Sequence, residues 1–196
     1  MESTDKSLVE AHCKGDPEAF SELVRRYGGS VLGFLTRMTA SPELAEDFFQ
    51  ETFKRVHEKA HTLRGDNFKP WLFRIASRVA IDGFRRRRRV GIVSLDEGID
   101  CGGRDGGKVK MAVTADSSYN PSQQAIEAER TRQVRRAIAL LPTKQRATLV
   151  LAYYQQLSYS EVAMVLGCSI GTVKTQMYRA LRTLAARLPD ISGGEQ

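Results

Sequence analysis

The twelve residues from Ser158 to Ser169 hold two helix starts and one helix stop, which confines this stretch to two helices joined by a tight turn. Ser158 and Glu161 form an S-x-x-E capping box, the signature of a helix N-terminus. Val162, Ala163, Val165 and Leu166 supply the buried face of that helix, and Gly167 stands where a left-handed residue should end it. Ser169 then caps a second helix, whose predicted inward stripe is Val173, Met177, Ala180, Leu181 and Leu184 at spacings of three and four. Its outward positions are Thr172, Lys174, Thr175, Gln176 and Arg179. Hydroxyls, an amide and cations are the groups that reach phosphates and base edges, so the pair reads as a helix-turn-helix with its second helix in a DNA groove.

With 196 residues the chain can hold one domain or two small ones. A hydrophobic share of 41% and a charged share of 27% describe a folded, soluble protein. The net charge of +7 suits a polyanionic partner. No apolar run approaches the roughly 20 residues that cross a bilayer, so no membrane insertion is expected. Met1-Glu2-Ser3-Thr4-Asp5 lacks the basic and apolar regions of a secretion signal, and a cytoplasmic location is expected. Cys13, Cys101 and Cys168 are too far apart for a Cys-x-x-Cys site and odd in number, which suggests neither a disulfide framework nor a metal.

Helical periodicity runs through most of residues 5–90. Asp16-Pro17-Glu18 and Ser41-Pro42-Glu43 are each an N-cap, a first-turn proline and an acid. The first precedes Phe20, Leu23, Val24 and Tyr27, with the pattern resuming after Gly28-Gly29. The second precedes Leu44, Phe48, Phe49, Phe53 and Val56 in a helix expected over 43–61. A break at Arg64-Gly65-Asp66-Asn67 leads into a helix with Leu72, Ile75, Ala76 and Val79. Residues 96–122 hold five glycines and five acids without a sustained period, and read as a flexible linker. As a coil it would span on the order of 30 Å, and about 90 Å extended. Helices are expected again near Gln123, with Ile126, Val134, Ile138 and Leu141, then Leu149, Val150, Leu151 and Tyr153 after Pro142. The expected fold is all-α, with two small helical domains at 1–95 and 123–196 joined by that linker.

Phe68–Arg89 holds eight cations against one acid, a local +7 equal to that of the whole chain, so the positive field is expected to be local. Phe68, Trp71, Phe73 and Phe84 are interleaved with it. Cations that hold phosphates beside rings that stack on bases suit single-stranded DNA, although helical geometry cannot expose all four rings. Asp47, Gln50 and Glu51 fall at i, i+3 and i+4, an acidic ridge opposite the phenylalanines that suits a basic protein surface.

These segments together resemble the extracytoplasmic-function (ECF) sigma factors of bacteria over nearly the whole chain. The phrases that carry the likeness are Ala45-Glu-Asp-Phe-Phe-Gln-Glu-Thr-Phe-Lys-Arg-Val56, Pro70-Trp-Leu-Phe-Arg-Ile-Ala76, Leu141-Pro-Thr-Lys-Gln-Arg146 and Gly171-Thr172-Val173-Lys174. The resemblance implies a promoter-specificity subunit without catalytic residues, metal or cofactor. It implies that residues 1–95 dock core RNA polymerase through Asp47, Gln50 and Glu51. It implies that they open and read the −10 element through Arg64, Asp66, Asn67, Phe68, Trp71, Arg74, Arg78, Asp82, Arg85 and Arg86. It further implies that residues 123–196 read the −35 element through Ser169, Thr172, Lys174, Thr175, Gln176 and Arg179. Arg78 replaces a frequent asparagine and Gln176 a common arginine. The latter exchange is worth about 1–3 kcal/mol at one base, since glutamine pairs with adenine and arginine with guanine. Promoter elements 20 to 25 base pairs apart lie roughly 70–85 Å apart along B-DNA, a distance for which an extended linker is suited. An anti-sigma factor of unspecified identity is a further expected partner.

Two other readings compete. His57-Glu58-Lys59-Ala60-His61 matches H-E-x-x-H, in which two histidines one helical turn apart bind zinc and the glutamate acts as base. The metal-binding continuation fails, because Arg64 and Asn67 stand where a glycine and a third histidine belong. A conventional helix-turn-helix regulator accounts for residues 157–188 but not for the arginine cluster or the acidic ridge; such regulators bind duplex DNA alone, usually as dimers.

Overall fold

The computed structural model describes residues 3–89 and 121–188, and their regular elements are all helices. In the first stretch these are α1 (Asp5–Cys13), α2 (Pro17–Thr39), α3 (Pro42–Lys59) and α4 (Phe68–Arg89), with a 3-10 turn at Ala60–Thr62. The predicted caps form. One Asp16 carboxylate oxygen accepts from the Glu18 and Ala19 amides at 3.0 and 3.4 Å, and Ser41 Oγ accepts from the Leu44 amide at 3.3 Å. Each cap satisfies amides that have no carbonyl partner at a helix start, and the following proline has no amide to satisfy.

Two boundaries differ from expectation. α2 runs through Gly28-Gly29 without a break, with Gly28 buried against the Phe49 ring of α3, where a β-carbon would make ordinary contact at 3.6 Å. The helix expected over 43–61 ends as α-helix at Lys59 and tightens into the 3-10 turn. α2 stops at Ala40, which takes left-handed φ of 57° and donates its amide to the Thr36 carbonyl. Leu23, Val31, Phe34, Leu35, Val56, Leu72 and Phe73 fill the space between these helices, with Phe34 and Phe73 edge to face at 5.5 Å.

The second stretch contains α5 (Pro121–Ala139), α6 (Thr143–Leu149), α7 (Tyr159–Leu166) and α8 (Ile170–Arg187). α6 runs on into one π-helical turn, Val150–Tyr154. α5 starts two residues earlier than predicted; the rest of the expected linker lies outside the described residues. Leu141, Leu151, Val162, Val165, Val173 and Ala180 are buried between the helices. Ile126, Tyr153 and Leu181, expected to be inward, are exposed. At 100° per residue Leu181 is turned about 80° from Val173, whereas Ala180 and Leu184 stay within about 20° of it.

The two stretches are not apart. α2 packs against α5, α6 and the π turn, α4 lies along α7, and one buried apolar cluster runs through both.

Candidate nucleic-acid and polymerase interfaces

The helix-turn-helix is built as its caps require. Ser158 Oγ accepts from the Glu161 amide at 3.3 Å, while the Glu161 carboxylate accepts from the Ser158 amide at 2.8 Å. The Ser158 hydroxyl, which donates to the same carboxylate at 2.7 Å, and then the Ser158 amide, aided by the charge of Lys69, hold the Glu161 carboxyl below its ordinary range. Gly167 takes φ of 65° and ends α7. Ser169 Oγ accepts from the Thr172 amide at 3.1 Å and lies 2.9 Å from the Thr172 hydroxyl. Ser169 and Thr172 therefore hold the start of α8 while remaining exposed. The Thr175 hydroxyl donates to the Gly171 carbonyl at 3.0 Å, one turn earlier in α8. Lys174 and Arg179 are exposed, and Gln176 is half-buried. Five of the six predicted groups are thus exposed and Gln176 is half-buried; Thr172, Thr175 and Arg179 fall within about 60° of one another around α8, while Lys174 is turned about 100° from Thr175.

Arg64, Asp66 and Asn67 are exposed in the bend before α4, where Gly65 takes φ of 74°. Lys6 of α1 reaches Asp66 at 3.5 Å, an exposed pair. Along α4, Arg74, Arg78, Asp82 and Arg85 recur at helical spacing as one exposed ridge, continued by Arg86. Asp82 and Arg85 are 3.7 Å apart.

The rings behave differently from the stacking row that the sequence suggests. Phe68 is buried, with the Tyr27 ring 5.1 Å away and Trp71 at 5.8 Å, so it anchors the start of α4 and offers no face to a base. Phe73 is likewise core. Trp71 is half-buried, as is Phe84 against Phe48 at 6.1 Å. Of the four rings, Trp71 and Phe84 alone keep an accessible part.

On α3, Asp47 and Gln50 are exposed, and Glu51 is half-exposed with Oε1 2.6 Å from the Arg55 guanidinium. Thr52, Phe53 and Val56 point inward, so the ridge faces away from the core as its spacing demands.

The H-E-x-x-H match does not assemble into a site. His61 sits in the 3-10 turn, off the helix that carries His57, and the His57 ring lies 4.9 Å from His12 and 5.5 Å from Phe20. Among the described residues no cluster of three His, Cys, Asp or Glu side chains has metal-binding geometry.

Two features escaped the sequence reading. The first is charge: residues 123–188 hold ten cations against three acids, so the positive field is not confined to α4. An equal deficit elsewhere hides this in the net sum. The second is Arg146, which is only 7% exposed. Its guanidinium donates to the carbonyls of Met38, Ala139 and Leu141, the last at 3.0 Å. Met38 lies in the last turn of α2 and Ala139 ends α5, where carbonyls lack helical partners and the helix dipole is negative. A buried cation so solvated by carbonyls closes two helix ends at once.

Residues 23–90 match the Sigma-70 region 2 family and residues 131–184 match the Sigma-70 region 4 family. The chain is 29% identical over 192 residues to the ECF RNA polymerase sigma factor SigW of Bacillus subtilis, covering 97% of this chain and all of that one. It is 32% identical over 178 residues to the ECF RNA polymerase sigma-E factor of Escherichia coli, covering 90% of each. Among solved structures, CnrH in complex with the cytosolic domain of CnrY superposes with a TM-score of 0.67, covering 97% of this chain and all of that one at 24% identity. The sigma factor RpoE of Bartonella quintana, solved with the anti-sigma factor NepR, superposes with a TM-score of 0.63, covering 87% of this chain and 97% of that one at 23% identity. Helical halves with a capped helix-turn-helix in the second, a cationic ridge in the first, and kinship along nearly the whole length lead to one family: the chain belongs to the ECF RNA polymerase sigma factors, the promoter-specificity subunits that direct transcription initiation.

Proposed function

We propose that this sigma factor works through three surfaces of assigned residues and has no catalytic residue of its own. Asp47, Gln50 and Glu51 dock core RNA polymerase. Arg64, Asp66, Asn67, Trp71, Arg74, Arg78, Asp82, Arg85 and Arg86 engage the melted −10 element, with Phe68 acting from beneath as the anchor of α4. Ser169, Thr172, Lys174, Thr175, Gln176 and Arg179 engage the −35 duplex. The proposed working units are residues 1–95 and 123–196, joined by residues 96–122, and the proposed location is the cytoplasm. Among the described residues no helix is long and apolar enough to cross a membrane. An anti-sigma partner is proposed on the likeness to the Bartonella protein solved with one.

The observation that carries this reading is the ridge Arg74, Arg78, Asp82, Arg85, whose cations stand on the open side of a helix whose other side is core. Cations so placed hold a phosphate backbone, and the adjoining half-buried Trp71 offers an edge for an unstacked base. The chemistry is one of binding alone: phosphate contacts fix register, and α8 supplies base-edge contacts in the major groove.

Run-off transcription with purified core polymerase on a promoter library tests the assignment. The expected result is initiation at promoters with defined −35 and −10 elements only when both core and this chain are present. Charge removal at Arg74 and Arg78 should weaken open-complex formation while leaving −35 preference unchanged. Duplex half-site binding by the chain alone, with core polymerase indifferent to it, would favour the conventional regulator.

A further inference from the structure

The geometry points to α1 as a positioning element for the −10 reading loop, with Lys6 holding Asp66 so that residues 64–67 meet DNA in a set shape. This rests on the assignment of that loop to the −10 element above, and adds a residue which that assignment does not contain. α1 precedes residues 23–90, the stretch that matches the Sigma-70 region 2 family, so the match gives it no role.

A helix of nine residues does not persist alone, and α1 is held by what it packs on. Thr4 caps it, accepting from the Ser7 amide at 3.2 Å, and Leu8 and Val9 form its buried side. Asp5 fixes its seat on α2. One carboxylate oxygen of Asp5 accepts from the Arg26 guanidinium at 3.2 Å, and the other accepts from the Tyr27 hydroxyl. Arg26 also donates to the Ser3 carbonyl at 2.7 Å and to the Glu22 carboxylate at 2.6 Å. The Tyr27 ring stands edge to face against Phe68, the first residue of α4, at 5.1 Å. α1 packs as well on the 3-10 turn Ala60–Thr62. It therefore touches the chain just before the loop and, through Tyr27, just after it.

Between those two anchors residues 64–67 are all exposed, with Gly65 at φ of 74°. Fixing such a backbone when DNA binds costs conformational entropy, and a loop already fixed loses less. From the seat set by Asp5, the Lys6 ammonium reaches the Asp66 carboxylate at 3.5 Å. The contact ties the middle of the loop to a helix whose place is set elsewhere. It has an electrostatic consequence too. A carboxylate on a surface that takes up phosphates repels them, and a cation beside it offsets that repulsion. Both side chains are largely exposed, so the pair adds little to folding stability. Its effect belongs to DNA binding.

The test uses holoenzyme assembled from the full chain and core polymerase. The probe is a fork template whose single-stranded −10 element comes from the strongest promoter of the library. Lys6→Ala should weaken fork binding about two- to fivefold, the worth of one exposed ion pair. Lys6→Arg should restore it. Core affinity, −35 preference and thermal midpoint should stay at wild-type values in both variants. In an Asp66→Asn background Lys6→Ala should have no further effect, because its partner charge has gone. On a randomised −10 library Lys6→Ala should flatten the preference at the positions that Asp66→Asn also alters. An equal loss of fork binding in the Asp66→Asn background would make Lys6 a direct phosphate contact and overturn the positioning role. Wild-type fork binding by Lys6→Ala would overturn it as well. If Asp66→Asn and Asn67→Ala both leave the −10 profile intact, the −10 assignment itself falls, and the role of α1 with it.

Discussion

The Phe48 ring of α3 occupies the space that a side chain at Gly83 of α4 would need. A β-carbon built there would come within 2.2 Å of Phe48 Cζ and 2.6 Å of Cε1. The Phe84 ring stands edge to face against it at 6.1 Å, so a shift of Phe48 would disturb that pair too. This contact sets how closely α3 and α4 approach. Gly83→Ala should destabilise the protein by about 1–2 kcal/mol, as overpacking outweighs a gain in helix propensity. In a Phe48→Ala background the same change should stabilise, by roughly 0.5–1 kcal/mol. Urea unfolding of the four proteins measures both, and additive effects would contradict the contact.

Ala40 offers a second stability test. An L-residue in the left-handed region is strained by about 1–2 kcal/mol, and glycine is not. Part of the relief is lost to the greater freedom of glycine in the unfolded chain. Ala40→Gly should raise stability by up to about 1 kcal/mol, seen as a thermal midpoint a few degrees higher.

Core docking should depend on Asp47 more simply than on Glu51. Asp47 is exposed, while Glu51 holds Arg55 at 2.6 Å and its loss leaves a new cation on the acidic ridge. Asp47→Ala should weaken polymerase binding about tenfold. Glu51→Ala should cost more than Glu51→Ala with Arg55→Ala, and all three variants should melt within a few degrees of the wild type. Holoenzyme titration by fluorescence anisotropy measures the affinities; unchanged assembly in Asp47→Ala would displace the proposed surface.

Promoter reading should divide between Arg179 and Gln176. Arg179 is exposed on the outward face of α8, so Arg179→Ala should lower −35-dependent transcription about tenfold. Gln176 is half-buried at the edge of that face, and Gln176→Arg should shift the preferred base at one −35 position from adenine toward guanine. Transcription from a randomised −35 library measures both. An unaltered preference profile in either variant would move that residue off the reading face.

Acid should loosen α1 through His12. The ring stacks on Phe20 at 4.7 Å and lies 4.9 Å from His57. Burial, and then the neighbouring His57, depress its pKa below the ordinary value, so the folded state favours the neutral ring. A depressed folded-state pKa contributes stability that is complete above about pH 6.5 and is lost as pH falls through the folded value. The midpoint should drop between pH 7.5 and 5.5, and drop less in His12→Phe. An equal drop in both would place the sensitivity elsewhere.

The caps were the most legible part of this protein. Ser158 with Glu161, Gly167, Ser169, Asp16-Pro17 and Ser41-Pro42 act within a few residues of themselves, and all stand where their chemistry predicts. The outward ridges of α3 and α4 follow from helical spacing for the same reason. Phe68 was misjudged because an aromatic beside cations looks alike whether it faces a base or a core. Leu181 failed because spacings of three and four describe a stripe only when they alternate. Arg146 left no signal, since its partners are backbone carbonyls up to 108 residues away, and carbonyls have no residue type. Its burial, and with it the contact between the two helical units, could be learned only from the fold.

That contact has a consequence for how strong it must be. The two helical units are parts of one chain, separated by the thirty-one residues 90–120. Tethered partners meet at an effective concentration in the millimolar range, and it falls only slowly with tether length. An interface with a dissociation constant of about 0.1 mM between separate proteins would keep such a chain closed roughly nine times in ten. Each further 1.4 kcal/mol would multiply that bias tenfold. The buried apolar cluster shared by the two units, with Arg146, Gln155 and the Arg37 guanidinium over Tyr154, therefore needs only a modest affinity to keep them packed.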